Sequence, residues 1–331
     1  MKLSILDQAP ISTGQTAKDA LYNAMELARA GESFGYTRYW IAEHHDLPGL
    51  ASNAPEVMLG FIGAHTSTIR IGSGAVLLPH YKPYKVAEVF NLLSVLFPGR
   101  IDLGIGRAPG GSAEATTALS GQFLQKVYKM PELVEELLHF LYHDFPEENI
   151  FSRVKAAPVP ADPPHAWLLG TSGKSAVLAA RSGMSYAFGQ FMSEQDGAAI
   201  LKQYEQAFTP RKPGDAPQTL LTVSAVCAET AEKAEEVAWS SLIWQLQAEK
   251  GGQASVPSIE EAKSYPLTGK DKEKLAKMKQ NMVIGNPQQV RAAFTKLQEK
   301  YGTDELMILT IAHSFEDRIA SYRYIAEEVL G

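Results

Sequence analysis

The chain has 331 residues, and its 31 Lys and Arg against 37 Asp and Glu give a formal net charge of −6 at pH 7. This mildly acidic balance lacks the basic surface that nucleic-acid binding usually requires, so no nucleic-acid partner is expected. Hydrophobic residues make up 45% and charged residues 21%, which indicates a globular chain with a large core and excludes bulk disorder. The one cysteine, Cys227, excludes an intrachain disulfide and a zinc site built on cysteines.

Hydropathy along the chain predicts a soluble cytoplasmic protein with no membrane partner. The apolar run at residues 3–6 is too short for a signal peptide and is typical of a first strand. No stretch reaches the roughly 20 apolar residues of a membrane-spanning helix. Length alone suggests about two domains, although barrels of alternating strands and helices exceed about 250 residues as one domain.

Short apolar segments alternate with helical segments along the whole chain. The predicted strands cover residues 2–6, 38–42, 69–78, 100–106, 166–170, 185–188, 219–228 and 305–311. Between them lie helical patterns, with Thr16 and Asp19 as a capping box and Pro55 and Pro287 opening helices. Eight strand–helix pairs predict a (β/α)8 TIM barrel that takes up residues 1–331 as a single domain. A doubly wound sheet is the alternative, but it usually has fewer units.

Two insertions account for the length beyond a minimal barrel. Residues 145–165 are rich in proline and acidic groups and are predicted to form an excursion before the fifth strand. Residues 248–282 are polar, with runs of Lys and Glu. Long insertions of this kind in a barrel often act as lids, so a mobile lid is predicted there.

In such a barrel the chemistry belongs to the loops at the carboxyl ends of the strands. His44 and His45 directly follow the second strand, where an imidazole could transfer protons or contact an anion, or could be a purely structural group. Neighbouring residues on an extended segment point in opposite directions, which makes the two poor joint metal ligands. His139 and His143 lack the glutamate that a zinc-protease motif needs, so no metal site is predicted.

Two glycine-rich segments have features of phosphate-binding sites. Residues 104–110 (GIGRAPG) lack the dinucleotide-binding spacing, yet Arg107 could reach a phosphate, or form a surface ion pair. Residues 170–175 (GTSGKS) resemble the end of a P-loop, but Leu168 stands where the first glycine is required. The backbone N–H groups at this helix start could bind an anion, whereas Ser172 could simply be the helix cap. Glycines in the third strand indicate either a close ligand or crowding inside the barrel.

Five segments together carry a resemblance: YWIAEHH at 39–45, IRIGSGAVLLP at 69–79, FPGRIDLGIGRAPGG at 97–111, WLLGTSGKSA at 167–176 and VIGNPQQV at 283–290. They resemble the bacterial luciferase-like family of flavin-dependent oxidoreductases, and most of all its single-chain, alkanal-monooxygenase-like branch. The resemblance implies a (β/α)8 barrel with reduced FMN at the carboxyl face. It also implies oxidation of a small organic substrate by O2 through a flavin C4a-hydroperoxide.

The resemblance also assigns roles to residues and partners. His44 matches the active-site histidine that assists proton transfer, and a non-proline cis peptide is expected at Gly74–Ala75, against the flavin ring. The implied cofactor-binding residues are Gly74, Ala75, Gly106, Arg107, Thr171, Ser172 and Ser175. A separate flavin reductase is the implied source of reduced FMN. A homodimer is implied through the early helices, where residues 84–97 are amphipathic and Ala54, Gly60 and Gly63 are small.

Three positions depart from light-emitting luciferases. Gly106 replaces a cysteine, Gly110 an aromatic residue and Thr171 a glutamate, which leaves light emission and a long-chain aldehyde substrate open. A deazaflavin-dependent hydride-transfer enzyme of the same superfamily is the first alternative. A flavin-binding protein without catalysis is the second.

Overall fold

The computed structural model describes residues 1–252 and 255–331, and the strands within these ranges are all parallel in their pairing. The strands are β1 (Lys2–Asp7), β2 (Arg38–Ile41), β3 (Arg70–Ser73), β4 (Val76–Leu77), β5 (Ile101–Gly106), β6 (His165–Gly170), β7 (Ser185–Gly189), β8 (Thr219–Cys227), β9 (Met282–Gly285) and β10 (Glu305–Leu309). The helices are α1 (Ala17–Ser33), α2 (Pro55–Ala64), α3 (Pro83–Leu96), α4 (Ala113–Leu119), α5 (Phe123–Tyr128), α6 (Met130–Tyr142), α7 (Gly173–Arg181), α8 (Gly197–Ala207), α9 (Ala231–Glu249), α10 (Ile259–Ser264), α11 (Gly269–Gln280), α12 (Pro287–Tyr301) and α13 (Phe315–Val329).

The strands close into a barrel, which confirms the predicted TIM-barrel class. β1 pairs with both β2 and β10, and β10 pairs in turn with β8, which closes the ring. The closed ring is β1, β2, β3 with β4, β5, β6, β7, β8 and β10. Because every strand is parallel to its neighbours, all carboxyl ends meet at one mouth.

The structure differs from the predicted strands at the third strand and at β9. The third strand is not continuous over 69–78. It is interrupted between β3 and β4 at a cis Gly74–Ala75 peptide bond, the cis bond that the resemblance implied. Residues 78–80 turn into a short 3-10 helix. β9 was not predicted; it lies where the predicted lid ends and extends the sheet along the second half of β8.

The predicted lid contains packed helices. Its first residues complete α9, and α10 and α11 pack on that helix through an apolar cluster that includes Leu242, Leu246 and Leu275. Val256 is fully buried in the barrel mouth and exchanges backbone hydrogen bonds with Ile11 and Thr13. Residues 253–254 of the predicted lid lie outside the described residues.

Capping residues begin several helices as the sequence predicts. Thr16 and Asp19 form the expected capping box at the start of α1, and Ser172 and Ser175 form another at the start of α7. The excursion before β6 is tied down where the Asn91 side chain donates to the Ala156 carbonyl at 2.7 Å. Among the described helices, none is long and apolar enough to cross a membrane.

The barrel interior changes character along its axis. Near the middle, the Trp40 and Trp167 rings meet edge to face with centroids 5.4 Å apart. At the amino end, Asp102 accepts hydrogen bonds from Arg38, Arg70 and the Trp40 indole. This charged layer closes the end of the barrel away from the mouth.

Candidate active site

The loops that carry the predicted site residues are neighbours at the mouth of the barrel. β2, β3 with β4, β5 and β6 are consecutive in the barrel, so the loops that follow them lie side by side. Leu77 is in register with Gly106, and Ile105 with Leu168. The barrel therefore brings the His44 loop, the Gly74–Ala75 bond, Arg107 and the start of α7 to one edge.

His44 lies in this edge with an unused ring nitrogen. Its backbone N–H donates to the Ser52 carbonyl at 2.9 Å, which fixes the main chain. Its Nδ1 atom is buried and has no hydrogen-bond partner among the described residues. Burial, and then the nearby charge of His45, lower the pKa of His44 from 6.5 to about 4. The imidazole is therefore neutral near pH 7 and can accept a proton.

His45 has a different role from its neighbour. Its Nε2 atom lies 2.7 Å from Glu43 Oε1, and its backbone N–H donates to the Gly110 carbonyl. The buried Glu43 carboxylate also accepts from the Tyr81 hydroxyl at 2.7 Å and from the Leu77 N–H at 3.0 Å. Glu43 thus joins the loops after β2 and β4, while His45 adds the loop after β5. The sequence reasoning passed over Glu43 and Tyr81, although Glu43 stands inside the quoted motif.

His80 adds a second connection between the same loops, also missed by the sequence reasoning. Its Nε2 atom lies 2.9 Å from the Pro109 carbonyl, and its ring stacks on Phe123 with centroids 4.8 Å apart. These contacts hold the segment that carries Arg107 against the short 3-10 helix.

The glycines at this edge serve close packing. A Cβ atom on Gly74 would lie 2.6 Å from Leu6 Cδ1, inside the barrel. A Cβ on Gly104 would lie 2.0 Å from the Ser73 carbonyl oxygen. Gly106 is less crowded, since its Cβ would meet Ala75 Cβ at 3.3 Å. Crowding in the barrel therefore explains Gly74 and Gly104, and Gly106 lies directly beside Ala75.

A cavity of about 500 Å³ borders Arg107, Lys174 and Ser175. Arg107 is exposed, and neither Arg107 nor Lys174 forms an ion pair within the described ranges. Thr171 and Ser172 directly precede α7, whose residues Lys174 and Ser175 line the cavity. Two unpaired cations beside the N-terminus of a helix make a site suited to an anion. Ser172 forms the predicted helix cap, and this role does not exclude the anion site predicted for the same turn.

The α7 capping box involves a further hydroxyl. Ser175 Oγ donates to the Ser172 carbonyl at 2.8 Å and lies 3.0 Å from the Tyr186 hydroxyl. Tyr186 is on β7, is fully buried and escaped the sequence reasoning. A Cβ on Gly170 would lie 2.2 Å from Ser175 Oγ, so glycine is needed there for this approach.

A larger cavity of about 820 Å³ opens on the side of the mouth formed by β7, β8 and β10. Apolar side chains, neutral hydrogen-bonding groups, Glu194 and charged residues of α9 and α11 line it. The apolar residues are Phe191, Met192, Trp244, Met278, Met282, Leu309 and Ile311. They come from distant parts of the chain and from no recognisable motif, which is why sequence reasoning did not find them.

Comparison with known proteins identifies the family. The model of the family described as luciferase-like monooxygenase matches residues 1–304. The N-acetyl-S-alkylcysteine monooxygenase of Bacillus subtilis is 36% identical over 332 residues, covering 100% of this chain and 99% of that protein. The chain therefore belongs to the luciferase-like monooxygenase family, as its motifs indicated.

Solved structures agree. Apo-MsnO8 matches with a TM-score of 0.89 and 35% identity, covering 99% of this chain and 98% of that one. Two more distant structures share the fold alone, each with a TM-score of 0.72. One is the oxygenating constituent of 3,6-diketocamphane monooxygenase from Pseudomonas putida in complex with FMN, at 18% identity, covering 99% of this chain and 97% of that one. The other is an F420-dependent secondary alcohol dehydrogenase, at 14% identity, covering 99% and 98%.

Proposed function

We propose that this chain is an FMN-dependent monooxygenase that uses reduced FMN and O2 to oxidise a small organic substrate. The observation that carries the proposal is the division of the mouth into three parts. Arg107 and Lys174, which form no ion pair within the described residues, lie on one side, the unpartnered Nδ1 of His44 on another, and the 820 Å³ cavity between β7, β8 and β10 on the third.

The residues present fit FMN. Arg107, Lys174 and the N-terminus of α7 match a phosphate dianion in charge and in donor type. Thr171, Ser172 and Ser175 add hydroxyl groups beside it. Ala75 and Gly106 would border the ring, because they are neighbours and neither carries a large side chain. Reduced FMN would supply the two electrons that bring one oxygen atom of O2 into the product and the other into water.

The chain's own residues would orient and protect this chemistry. His44 would hold or accept a proton at Nδ1, which is free for that purpose because no described group occupies it. Glu43 and His45 would keep the three loops in register. The apolar wall of Phe191, Trp244 and Ile311 would exclude water from the substrate.

The substrate proposal follows from the relative. A chain 36% identical over its whole length is named for the oxidation of N-acetyl-S-alkylcysteines, so thioethers of this kind form the first panel to test. The alkyl group of such a molecule suits the apolar part of the 820 Å³ cavity. A separate flavin reductase is the proposed source of reduced FMN.

The test begins without oxygen. Binding of reduced FMN and of a reduced deazaflavin is measured by anaerobic equilibrium dialysis, and ¹⁸O2 is then admitted with the thioether panel. Tight binding of reduced FMN and one ¹⁸O atom per product molecule are expected. Preferential binding of deazaflavin would instead favour a hydride-transfer enzyme, and tight FMN binding without labelled product a non-catalytic flavin protein.

A homodimer through α2 and α3 is part of the proposal. These helices expose an apolar surface that includes Val57, 67% exposed, and Leu96, 57% exposed. Gly60 has open space above it, whereas Gly63 serves internal packing, since its Cβ would lie 2.4 Å from the Phe97 ring. Sedimentation of Leu96→Lys should show a monomer, while Val159→Lys on the excursion should leave the wild-type mass.

A further inference from the structure

Tyr186 stands behind the proposed phosphate site without contributing to its surface. Its side chain is fully buried, and its ring stacks on Tyr204 at 5.6 Å. Its hydroxyl lies 3.0 Å from Ser175 Oγ and 3.4 Å from the Ser172 carbonyl oxygen. Ser175 in turn borders the cavity that Arg107 and Lys174 line. The hydroxyl of Tyr186 is therefore one hydrogen bond away from the place where an anion would bind.

We propose that Tyr186 is a positioning residue that orients the Ser175 hydroxyl toward the cofactor phosphate. The inference rests on the proposed function, since it takes the ligand of this cavity to be a phosphorylated flavin. Tyr186 does not contact the phosphate and acts through Ser175.

The direction of the hydrogen bonds follows from the donors available. Burial raises the pKa of Tyr186 to about 12, so the phenol keeps its proton and remains a donor at neutral pH. The charge of Arg107 opposes that rise, which places the guanidinium within electrostatic reach of the same hydroxyl. Ser175 Oγ is the nearer of the two acceptors that Tyr186 has.

Once Tyr186 donates to Ser175 Oγ, the single Ser175 proton must point elsewhere. Without a ligand it points to the Ser172 carbonyl, at 2.8 Å. That carbonyl also accepts the Ala176 N–H at 3.1 Å, so it keeps a donor when the Ser175 proton leaves it. The Ser175 proton can then turn to a phosphate oxygen, and a chain of hydroxyls that ends on an anion is mutually strengthening.

The experiment compares FMN with riboflavin, which has the same ring and no phosphate. Anaerobic equilibrium dialysis with the reduced forms gives the ratio of the two affinities for each variant. Tyr186→Phe is expected to weaken FMN binding about tenfold and to leave riboflavin binding unchanged. The reason is that the hydrogen bond that orients the Ser175 hydroxyl toward the phosphate is lost. Tyr204→Phe is the matched control: its hydroxyl bonds Met184 and Gln218 and touches neither Ser175 nor the cavity. It should leave the ratio at the wild-type value.

A second background shows whether Tyr186 acts through Ser175. In Ser175→Ala, the further change Tyr186→Phe should have no effect on the ratio, since the orienting contact is already absent. An equal loss in both backgrounds, or an unchanged ratio in Tyr186→Phe, overturns the inference. Should Tyr186→Phe fail to fold, Ser175→Ala alone can still overturn the inference, because an unchanged ratio there leaves Tyr186 no phosphate contact through which to act.

The outcomes separate this inference from the proposed function. If wild-type protein binds a phosphorylated deazaflavin and no FMN, the proposed cofactor is wrong. The same ratio, measured with the deazaflavin and its phosphate-free form, then decides the role of Tyr186. If wild-type protein binds neither phosphorylated flavin, both statements fall.

Discussion

Charged side chains are paired at the amino end of the barrel, whereas some at its mouth have no partner within the described residues. At the amino end, Arg38 Nη1 lies 2.7 Å from Asp102 Oδ2, and Arg38 Nε lies 2.6 Å from Glu305 Oε1. Arg70 forms a second ion pair with Asp102. At the mouth, Arg107 and Lys174 have no partner within the described ranges, and the Nδ1 atom of His44 is buried without one. Because the loops at the carboxyl ends of the strands carry the active sites of such barrels, these groups make the mouth the candidate functional site.

The same difference extends to the ionisation of the groups. Burial works to raise the pKa of Asp102, but the charges of Arg38 and Arg70 outweigh it and hold that pKa below its usual value. Burial lowers the pKa of His44, and no carboxylate opposes the shift. The network at the amino end therefore keeps Asp102 charged, whereas burial at the mouth keeps His44 neutral.

The largest expected effect concerns the amino end. Arg38→Met removes one partner of a buried ion network and should lower the free energy of unfolding by about 3–5 kcal/mol. Arg29→Met removes an exposed pair with Glu26 and should cost less than about 1 kcal/mol. Urea unfolding measures both. Equal losses in the two variants would contradict the structural role given to the amino end.

The opposite result is expected at the mouth. His44→Ala should lower the rate of substrate oxygenation at least about 100-fold and change the free energy of unfolding little, because the ring nitrogen has no bond to lose. His65→Ala, at the end of α2, is the control and should retain the wild-type rate. Rates come from labelled product per minute. Wild-type turnover in His44→Ala would remove the proton-transfer role of this residue.

The free energy of unfolding should also depend on pH, because the pKa of His44 at the mouth differs between the folded and the unfolded chain. The pKa of His44 is lowered to about 4 in the fold, against an ordinary value of 6.5. Between these values the unfolded chain binds more protons than the folded one, so stability falls as the pH drops. The slope is at most about 1.4 kcal/mol per pH unit for this one group. His44→Asn should flatten that part of the curve in urea unfolding; parallel curves for the two proteins would show that His44 does not titrate this way.

The smallest expected effect tests the anion site. Gly170→Ala places a Cβ where Ser175 Oγ lies and should weaken FMN binding about fivefold, or about 1 kcal/mol. Gly269→Ala at the start of α11 has open space and should leave binding unchanged. Equal affinities in anaerobic dialysis would show that the position of Ser175 is unimportant to the phosphate.

Much of the mouth was predictable from local patterns. The residues after the second, fourth and fifth predicted strands fell at the carboxyl end because every strand of such a barrel has the same direction. The resemblance placed the cis peptide at Gly74–Ala75, where the structure has it. The end of pairing at this bond was not predicted, because the glycines of the third strand were interpreted as a close ligand or crowding and not as the end of a strand.

Other features could not be predicted from any single segment. Tyr81 and Tyr186 belong to the site only because their hydroxyls meet Glu43 and Ser175, which lie 38 and 11 residues away in the chain. The mouth cavity combines Phe191, Trp244 and Ile311 from three separate strand–helix units. β9 is a short apolar segment at the end of a polar stretch, and its four residues pair with β8 only once the barrel has formed.

The sequence by itself determined the alternation of strands and helices, the barrel, and the loops that hold chemical groups, because periodicity and capping are local properties. Only the tertiary structure decided which histidine is free and which is paired. His44 and His45 are adjacent and identical in type, yet the Nδ1 atom of His44 is buried with no partner among the described residues, and the Nε2 atom of His45 contacts Glu43. Burial and electrostatic energy are sums over neighbours in space, and the fold assigns those neighbours from distant parts of the chain.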